Sequence, residues 1–108
     1  MDTKNVSDEE VFLPDKMSKV SLFETPRFFC DIYCLQPGQS QKIHSHEDND
    51  KIYYVLRGSA RVTVGEESQT LEAGEIVLAP AEVPHGVSNE TDAEAVCLVF
   101  MAPHPRLR

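Results

Sequence analysis

Short apolar segments, each ended by turn residues, run through this chain from Phe28 to Ala102. They are rich in Val, Ile, Tyr and Phe, a composition typical of β-strands. Gly and Pro separate them every eight to twelve residues or so, and no convincing amphipathic helix interrupts the pattern. This spacing predicts an all-β sandwich or barrel. The predicted strands are residues 28–35, 41–46, 51–56, 60–64, 69–71, 75–79, 85–88 and 93–102.

The length of 108 residues predicts a single domain, which can bury about 65% of the surface of its unfolded chain. Residues 1–20 are polar with scattered apolar positions, and we interpret them as an N-terminal arm or edge strand that a partner subunit could receive. Residues 21–103 are predicted to form the barrel. Residues 104–108 form a short basic tail.

Charge and hydropathy exclude several classes of partner. The net charge is −8, and residues 62–105 contain eight acidic side chains and no Lys or Arg. Such a surface repels phosphate backbones, so we expect no nucleic-acid partner. The longest apolar run, Ala95 to Ala102, has eight residues, whereas a membrane helix needs about 20. The acidic N-terminus does not resemble a signal peptide, so we expect a cytoplasmic protein.

Cys30, Cys34 and Cys97 lack paired spacing and are interpreted as buried thiols.

Three histidines carry the clearest chemical signal. His44 and His46 are two residues apart, so on a strand their side chains share one face. His85 follows 39 residues after His46. Imidazole is the commonest metal ligand in proteins, so a metal site is predicted if His85 returns to the same space.

Two motifs containing these histidines resemble those of the cupin superfamily. The first has the form G-x5-H-x-H-x(3,4)-E-x6-G, and the second has the form G-x5-P-x-G-x2-H-x3-N. The matching positions are Gly38, His44, His46, Lys51 and Gly58, followed by Gly74, Pro80, Glu82, His85 and Asn89. The resemblance extends over about residues 28–101. It implies a single-domain cupin fold, the double-stranded β-helix or jelly-roll barrel.

The resemblance also implies one divalent transition metal (Fe, Mn, Ni, Co, Cu or Zn) bound by His44, His46 and His85 inside the barrel. The fourth ligand of the family does not carry over, because Lys51 occupies the position of its Glu. An ammonium has no free lone pair and repels a metal cation. Asp50 is one substitute, although one residue along a strand lies on the opposite face. Glu47 and Asp48 are further options, and a site of three histidines with water, as in the thiol dioxygenases, is another.

Lys51 itself has two interpretations. It either directs a cation at an anionic substrate or lies on the surface, paired with acids of the preceding turn. We take the surface pair as our expectation. The second departure is Glu82, which occupies a glycine position of the motif.

Three functions remain open. The first is a metal-dependent, dioxygenase-like enzyme acting on a small organic substrate. The second is a small-ligand-binding or sensing protein without turnover, which Lys51 favours, and the third is a metal-free structural dimer. A homodimer is expected because the strand at residues 51–56 has apolar side chains on both faces and open sheet edges need cover.

Overall fold

The computed structural model describes residues 1–106, and these residues form a short 3₁₀ turn followed by nine β-strands. The part of the chain so described contains no α-helix, and accordingly no helix long and apolar enough to cross a membrane. The turn covers Val6–Glu9, and the strands are β1 Ser18–Thr25, β2 Phe28–Leu35, β3 Ser40–His44, β4 Asp50–Arg57, β5 Ser59–Val64, β6 Glu67–Glu72, β7 Ile76–Ala79, β8 His85–Ser88 and β9 Ala95–Ala102.

The strands form two antiparallel sheets. The larger sheet has the order β1-β2-β9-β4-β7, and the smaller has the order β3-β8-β5-β6. Strands distant in sequence become neighbours in both sheets, as when β9 enters between β2 and β4. The predicted all-β jelly-roll architecture is confirmed, and eight of the strands lie where the sequence predicts them.

Alternation along β4 shows how the core is built. Lys51, Tyr53 and Val55 are buried between the sheets, while Ile52 and Tyr54 point to the outer face of the larger sheet. This period-two pattern follows from the pleat of the strand. The apolar core between the sheets consists of Met17, Phe29, Tyr33, Leu35, Tyr53, Val55, Ala60, Val62, Leu71, Ala79, Val87, Cys97, Val99 and Met101.

The N-terminal segment packs on its own subunit. Val6 and Phe12 cover a second apolar cluster on the outer face of the larger sheet, around Leu22 and Ile32. One edge of the larger sheet is β1, and only its first three residues fall within the arm or edge strand predicted for residues 1–20. Only Ser18 and Leu22 are buried along it, so its alternation is weak. The proposed division into residues 1–20, 21–103 and 104–108 stays a prediction, and residues 107 and 108 lie outside the described part.

Glu82, at the glycine position of the second motif, keeps a glycine-like backbone. Its φ is 72°, and its N–H donates to the carbonyl of His46 at 2.6 Å. A left-handed conformation costs a side chain about 1–2 kcal/mol, more than the entropy that glycine adds to the unfolded chain. We therefore expect Glu82→Gly to stabilise the fold by about 0.5–1 kcal/mol, measured by urea unfolding.

The matched control for Glu82→Gly is Glu66→Gly. Glu66 is also exposed, but its φ is not positive. At position 66, glycine adds entropy to the unfolded chain without relieving any backbone strain. The free energy of unfolding should therefore fall by about 0.5 kcal/mol. Equal effects of the two substitutions would contradict the strain assigned to Glu82.

Candidate metal centre

The three histidines predicted from the sequence lie together. His44 ends β3 and pairs directly opposite His85 on β8, and His46 follows two residues later. The ring centroids are 4.5 Å apart for His44 and His85, 4.9 Å for His44 and His46, and 5.7 Å for His46 and His85. One ring nitrogen of each lies within 4.8 Å of those of the others. Since metal–imidazole bonds are about 2.0–2.1 Å long, ring shifts of about 1 Å bring these nitrogens onto one ion.

Hydrogen bonds orient two of the rings for ligation. The Nδ1 of His44 lies 2.8 Å from the carbonyl oxygen of Lys42, and that of His85 lies 3.0 Å from the carbonyl oxygen of Val83. A carbonyl only accepts, so each Nδ1 carries the proton and each Nε2 keeps its lone pair. The Nε2 of His85 is buried and has no hydrogen-bond partner. A buried acceptor without a partner is costly, and a cation at this point would satisfy it.

The electrostatic environment keeps these imidazoles neutral. Burial lowers the pKa of His44 and of His46, and it lowers the pKa of His85 to about 4. The positive charge of Lys51 lowers the pKa of all three further. Neutral imidazole is the form that binds a metal, so the ligand set is ready at neutral pH.

The carboxylates considered as a fourth ligand do not join this cluster. Among residues 1–106, the three histidines form the one group of His, Cys, Asp and Glu close enough to share an ion. Asp50 is exposed and accepts a hydrogen bond from the N–H of Ala81 at 2.9 Å. Because Asp50 precedes an inward-facing residue on β4, its side chain points the other way. His104 also stands apart, paired with Glu24 and stacked edge-on against Phe29.

The expectation that Lys51 lies on the surface is wrong. Its side chain is only 1% exposed and lies between the sheets, on the same face of β4 as Tyr53. Its Nζ lies 5.0 Å from the ring centroid of Tyr53 and 5.2 Å from that of Tyr33. These cation–π contacts offset part of the cost of burying the ammonium. Strand alternation has therefore prevailed over the usual preference of Lys for solvent.

Gln41 connects this lysine to its surroundings, and the sequence analysis did not identify it. Its Oε1 accepts hydrogen bonds from Lys51 Nζ at 3.2 Å and from the Tyr53 hydroxyl at 3.1 Å. Its Nε2 donates to the Tyr33 hydroxyl at 3.3 Å. A bulge between Gln41 and His44 breaks the alternation of β3, so both side chains face the interior. On a regular strand, residues three apart such as Gln41 and His44 point to opposite faces. No residue type in the segment indicates the bulge that changes this.

A cavity of about 270 Å³ lies beside His44 and His46. Its polar lining includes Gln41 and Lys51, and its apolar lining includes Phe29, Tyr33 and Met101. Ligand sites commonly combine an apolar wall with a few convergent polar groups, and this volume is near the lower end of their range. The cavity therefore suits a small molecule.

Lys51 makes the stability of the protein depend on pH. Burial lowers the pKa of Lys51 from 10.5 to about 7. Between these values the unfolded chain holds a proton that the folded protein has released, so stability rises with pH across this window. Burying the Lys51 ammonium destabilises the fold by about 5 kcal/mol, at 1.36 kcal/mol per pH unit. This destabilisation is fully present below pH 7 and disappears as the pH approaches 10.5.

We expect Lys51→Met to be more stable than the wild type by about 2–4 kcal/mol at pH 7, after allowing for the lost contacts. The difference should shrink steadily towards pH 10. Urea unfolding of chelator-treated protein at several pH values measures it, with the exposed Lys16→Met as the control for net charge. Parallel pH curves for wild type and Lys51→Met would contradict this assignment.

Comparison with known proteins agrees with this architecture. A family model described as the cupin domain matches residues 31–101. The crystal structure of TT1209 from Thermus thermophilus superposes with a TM-score of 0.95 at 45% identity, covering 97% of this chain and 100% of that one.

Two further proteins extend the comparison. A Klebsiella pneumoniae protein with a double-stranded β-helix domain shares the fold, with a TM-score of 0.86 at 22% identity over 94% of this chain and 89% of that one. An oxalate-binding protein of Thermotoga maritima is 27% identical over 85% of this chain and 77% of its own length. The family model alone covers well over half of the residues, and the chain therefore belongs to the cupin domain family.

Proposed function

We propose that this protein binds a divalent transition metal through His44, His46 and His85 and uses the site to bind a small organic ligand. The observation that carries the proposal is the buried, unpartnered Nε2 of His85, which lies in a cluster of neutral imidazoles. A bound divalent metal supplies a Lewis acid that can polarise an oxygen of the ligand. The chain itself supplies the three nitrogen donors and a cavity with both polar and apolar lining residues.

The relatives and the charge pattern support a small molecule as partner. The related Thermotoga maritima protein is named for binding oxalate. The acidic stretch at residues 62–105 disfavours a nucleic acid. Lys51 favours binding without turnover, because it occupies a position that otherwise completes the metal's ligand set.

Titration of chelator-treated protein with Co²⁺ tests the proposal. We expect one equivalent to bind, with the visible absorption bands of a nitrogen-ligated ion and a rise in melting temperature as the ion saturates the native state. Absence of both signals at millimolar Co²⁺ would refute the metal site. Oxygen uptake by the Fe²⁺-loaded protein with thiols, diketones and phenols separates an oxygenase from a binding protein.

We also propose that the protein is a homodimer formed through the outer face of the larger sheet. On the edge strand β7, Ile76 is 61% exposed and Leu78 is 54% exposed. They pair with Tyr54 and Ile52 of β4, which present apolar side chains on the same outer face. An exposed apolar face on an edge strand favours association with another copy.

Light scattering during size-exclusion chromatography measures the oligomeric state. We expect a mass of about 24 kDa, twice the 12.1 kDa of the chain, because covering this face requires a second copy. Leu78→Lys should shift the mass to that of the monomer. Lys16→Met should leave the dimer unchanged, and a monomeric wild type would refute the proposal.

A further inference from the structure

The cavity beside the histidines is lined by two lysines that both contact one aromatic ring. The Nζ of Lys19 lies 5.5 Å from the ring centroid of Tyr33, and the Nζ of Lys51 lies 5.2 Å from it. Lys19 comes from β1 and is exposed, whereas Lys51 comes from β4 and is buried. Both lysines line the cavity. Asp31 is the acidic residue in the same lining.

The charge of this cavity contrasts with that of the molecule. The whole protein carries a net charge of −8, but two lysines and one aspartate line the cavity. Relative to a site with the Glu of the family motif, Lys51 adds two positive charges. A divalent metal at the histidines would add two more. The cavity therefore has a locally positive potential that attracts anions, although the negative net charge of the protein repels them.

We propose that this cavity binds a small carboxylic acid with an apolar body, and that Lys51 and Lys19 are the residues that select its negative charge. The inference rests on the ligand-binding function proposed above and names the class of ligand. In this assignment, Lys51 is a ligand-binding cation where other members of the family place a metal ligand.

The lining favours a carboxylate over other anions. Phe29, Tyr33 and Met101 offer apolar surface, which an inorganic anion leaves uncovered. Asp31 lies between Phe29 and Tyr33 on the same face of β2, so this surface is not a continuous apolar wall. An ammonium has three N–H donors, and Gln41 accepts one from Lys51. No Arg lines the cavity among the described residues, so the bidentate fork that most favours phosphate is missing. Two separate point charges beside apolar surface suit a monocarboxylate.

Isothermal titration calorimetry with benzoate tests the inference. The measurement uses chelator-treated protein at pH 6, where Lys51 is protonated because its pKa is about 7. We expect benzoate to bind with a Kd below about 10 mM, more tightly than benzyl alcohol, acetate or inorganic phosphate. Lys51→Met should weaken benzoate binding at least about tenfold. The control Lys16→Met removes the same charge from a position outside the cavity and should change the affinity by less than about twofold.

Several results would overturn the inference. These are no benzoate binding below about 10 mM, equal binding of benzyl alcohol, tighter binding of phosphate, or equal affinity of Lys51→Met and wild type. Stoichiometric Co²⁺ binding, measured on the same preparations, keeps the two proposals distinct. If benzoate binds through Lys51 but Co²⁺ does not bind, the metal function fails and this inference stands. If Co²⁺ binds and the affinity for benzoate does not depend on Lys51, the metal function stands and this inference fails.

Discussion

His85→Ala is expected to abolish stoichiometric metal binding, reducing Co²⁺ from about one equivalent to less than about a tenth. The substitution removes the donor that is oriented by Val83 and has no other partner for its Nε2. It leaves His44 and His46, and two imidazoles without a carboxylate make a weak site. Equilibrium dialysis followed by elemental analysis measures the bound metal.

His104→Ala is the matched control for His85→Ala. It removes the one remaining histidine, whose ring contacts Glu24 and Phe29 away from the cluster. We expect this variant to keep its full equivalent of metal. Circular dichroism establishes that both variants are folded. Similar metal content in the two variants would mean that the histidine cluster is not the metal site.

Lys51→Glu is expected to tighten metal binding by at least about 100-fold. The substitution replaces a buried cation near the three imidazoles with a carboxylate at the position of the family's fourth ligand. Interactions between charges are strong in a poorly solvated interior, so both changes favour a divalent cation. Competition for Co²⁺ with a chelator of known affinity measures the change.

Lys51→Met separates the two effects of Lys51→Glu. It removes the positive charge without adding a donor, so its affinity should lie between those of the wild type and the glutamate variant. If Lys51→Glu binds no more tightly than Lys51→Met, the carboxylate at position 51 does not reach the ion. Lys51 would then affect the metal only through its charge.

The parts of this site predictable from sequence were those encoded by spacing. His44, His46 and His85 lie at the intervals of two motifs, and a strand pairing brings them together. Their proximity was therefore predictable without coordinates. The turn after His85 is similarly local, because Asn89 accepts hydrogen bonds from Thr91 and donates to Ala93 within the same loop.

Features set by tertiary packing were harder to predict. Composition rules favour a solvated Lys51, and only the face on which β4 packs decides its burial. Gln41 faces inward because of a bulge that no local residue type announces. The strand β1 is weakly patterned, with only Ser18 and Leu22 buried, and the N-terminal residues Val6 and Phe12 pack on the same outer cluster as Leu22. In each case a contact between distant parts of the chain determines the outcome.

The hydrogen bond between Lys51 and Gln41 joins strands of different sheets, since β4 belongs to the larger sheet and β3 to the smaller. A molecule held at once by the histidines and by Lys51 would fasten the two layers to each other. Ligand binding should then reduce the relative motion of the two sheets. Amide protons in both sheets should therefore exchange with solvent more slowly. Ligand binding would thus slow amide exchange along the whole sandwich, including in strands that do not contact the ligand.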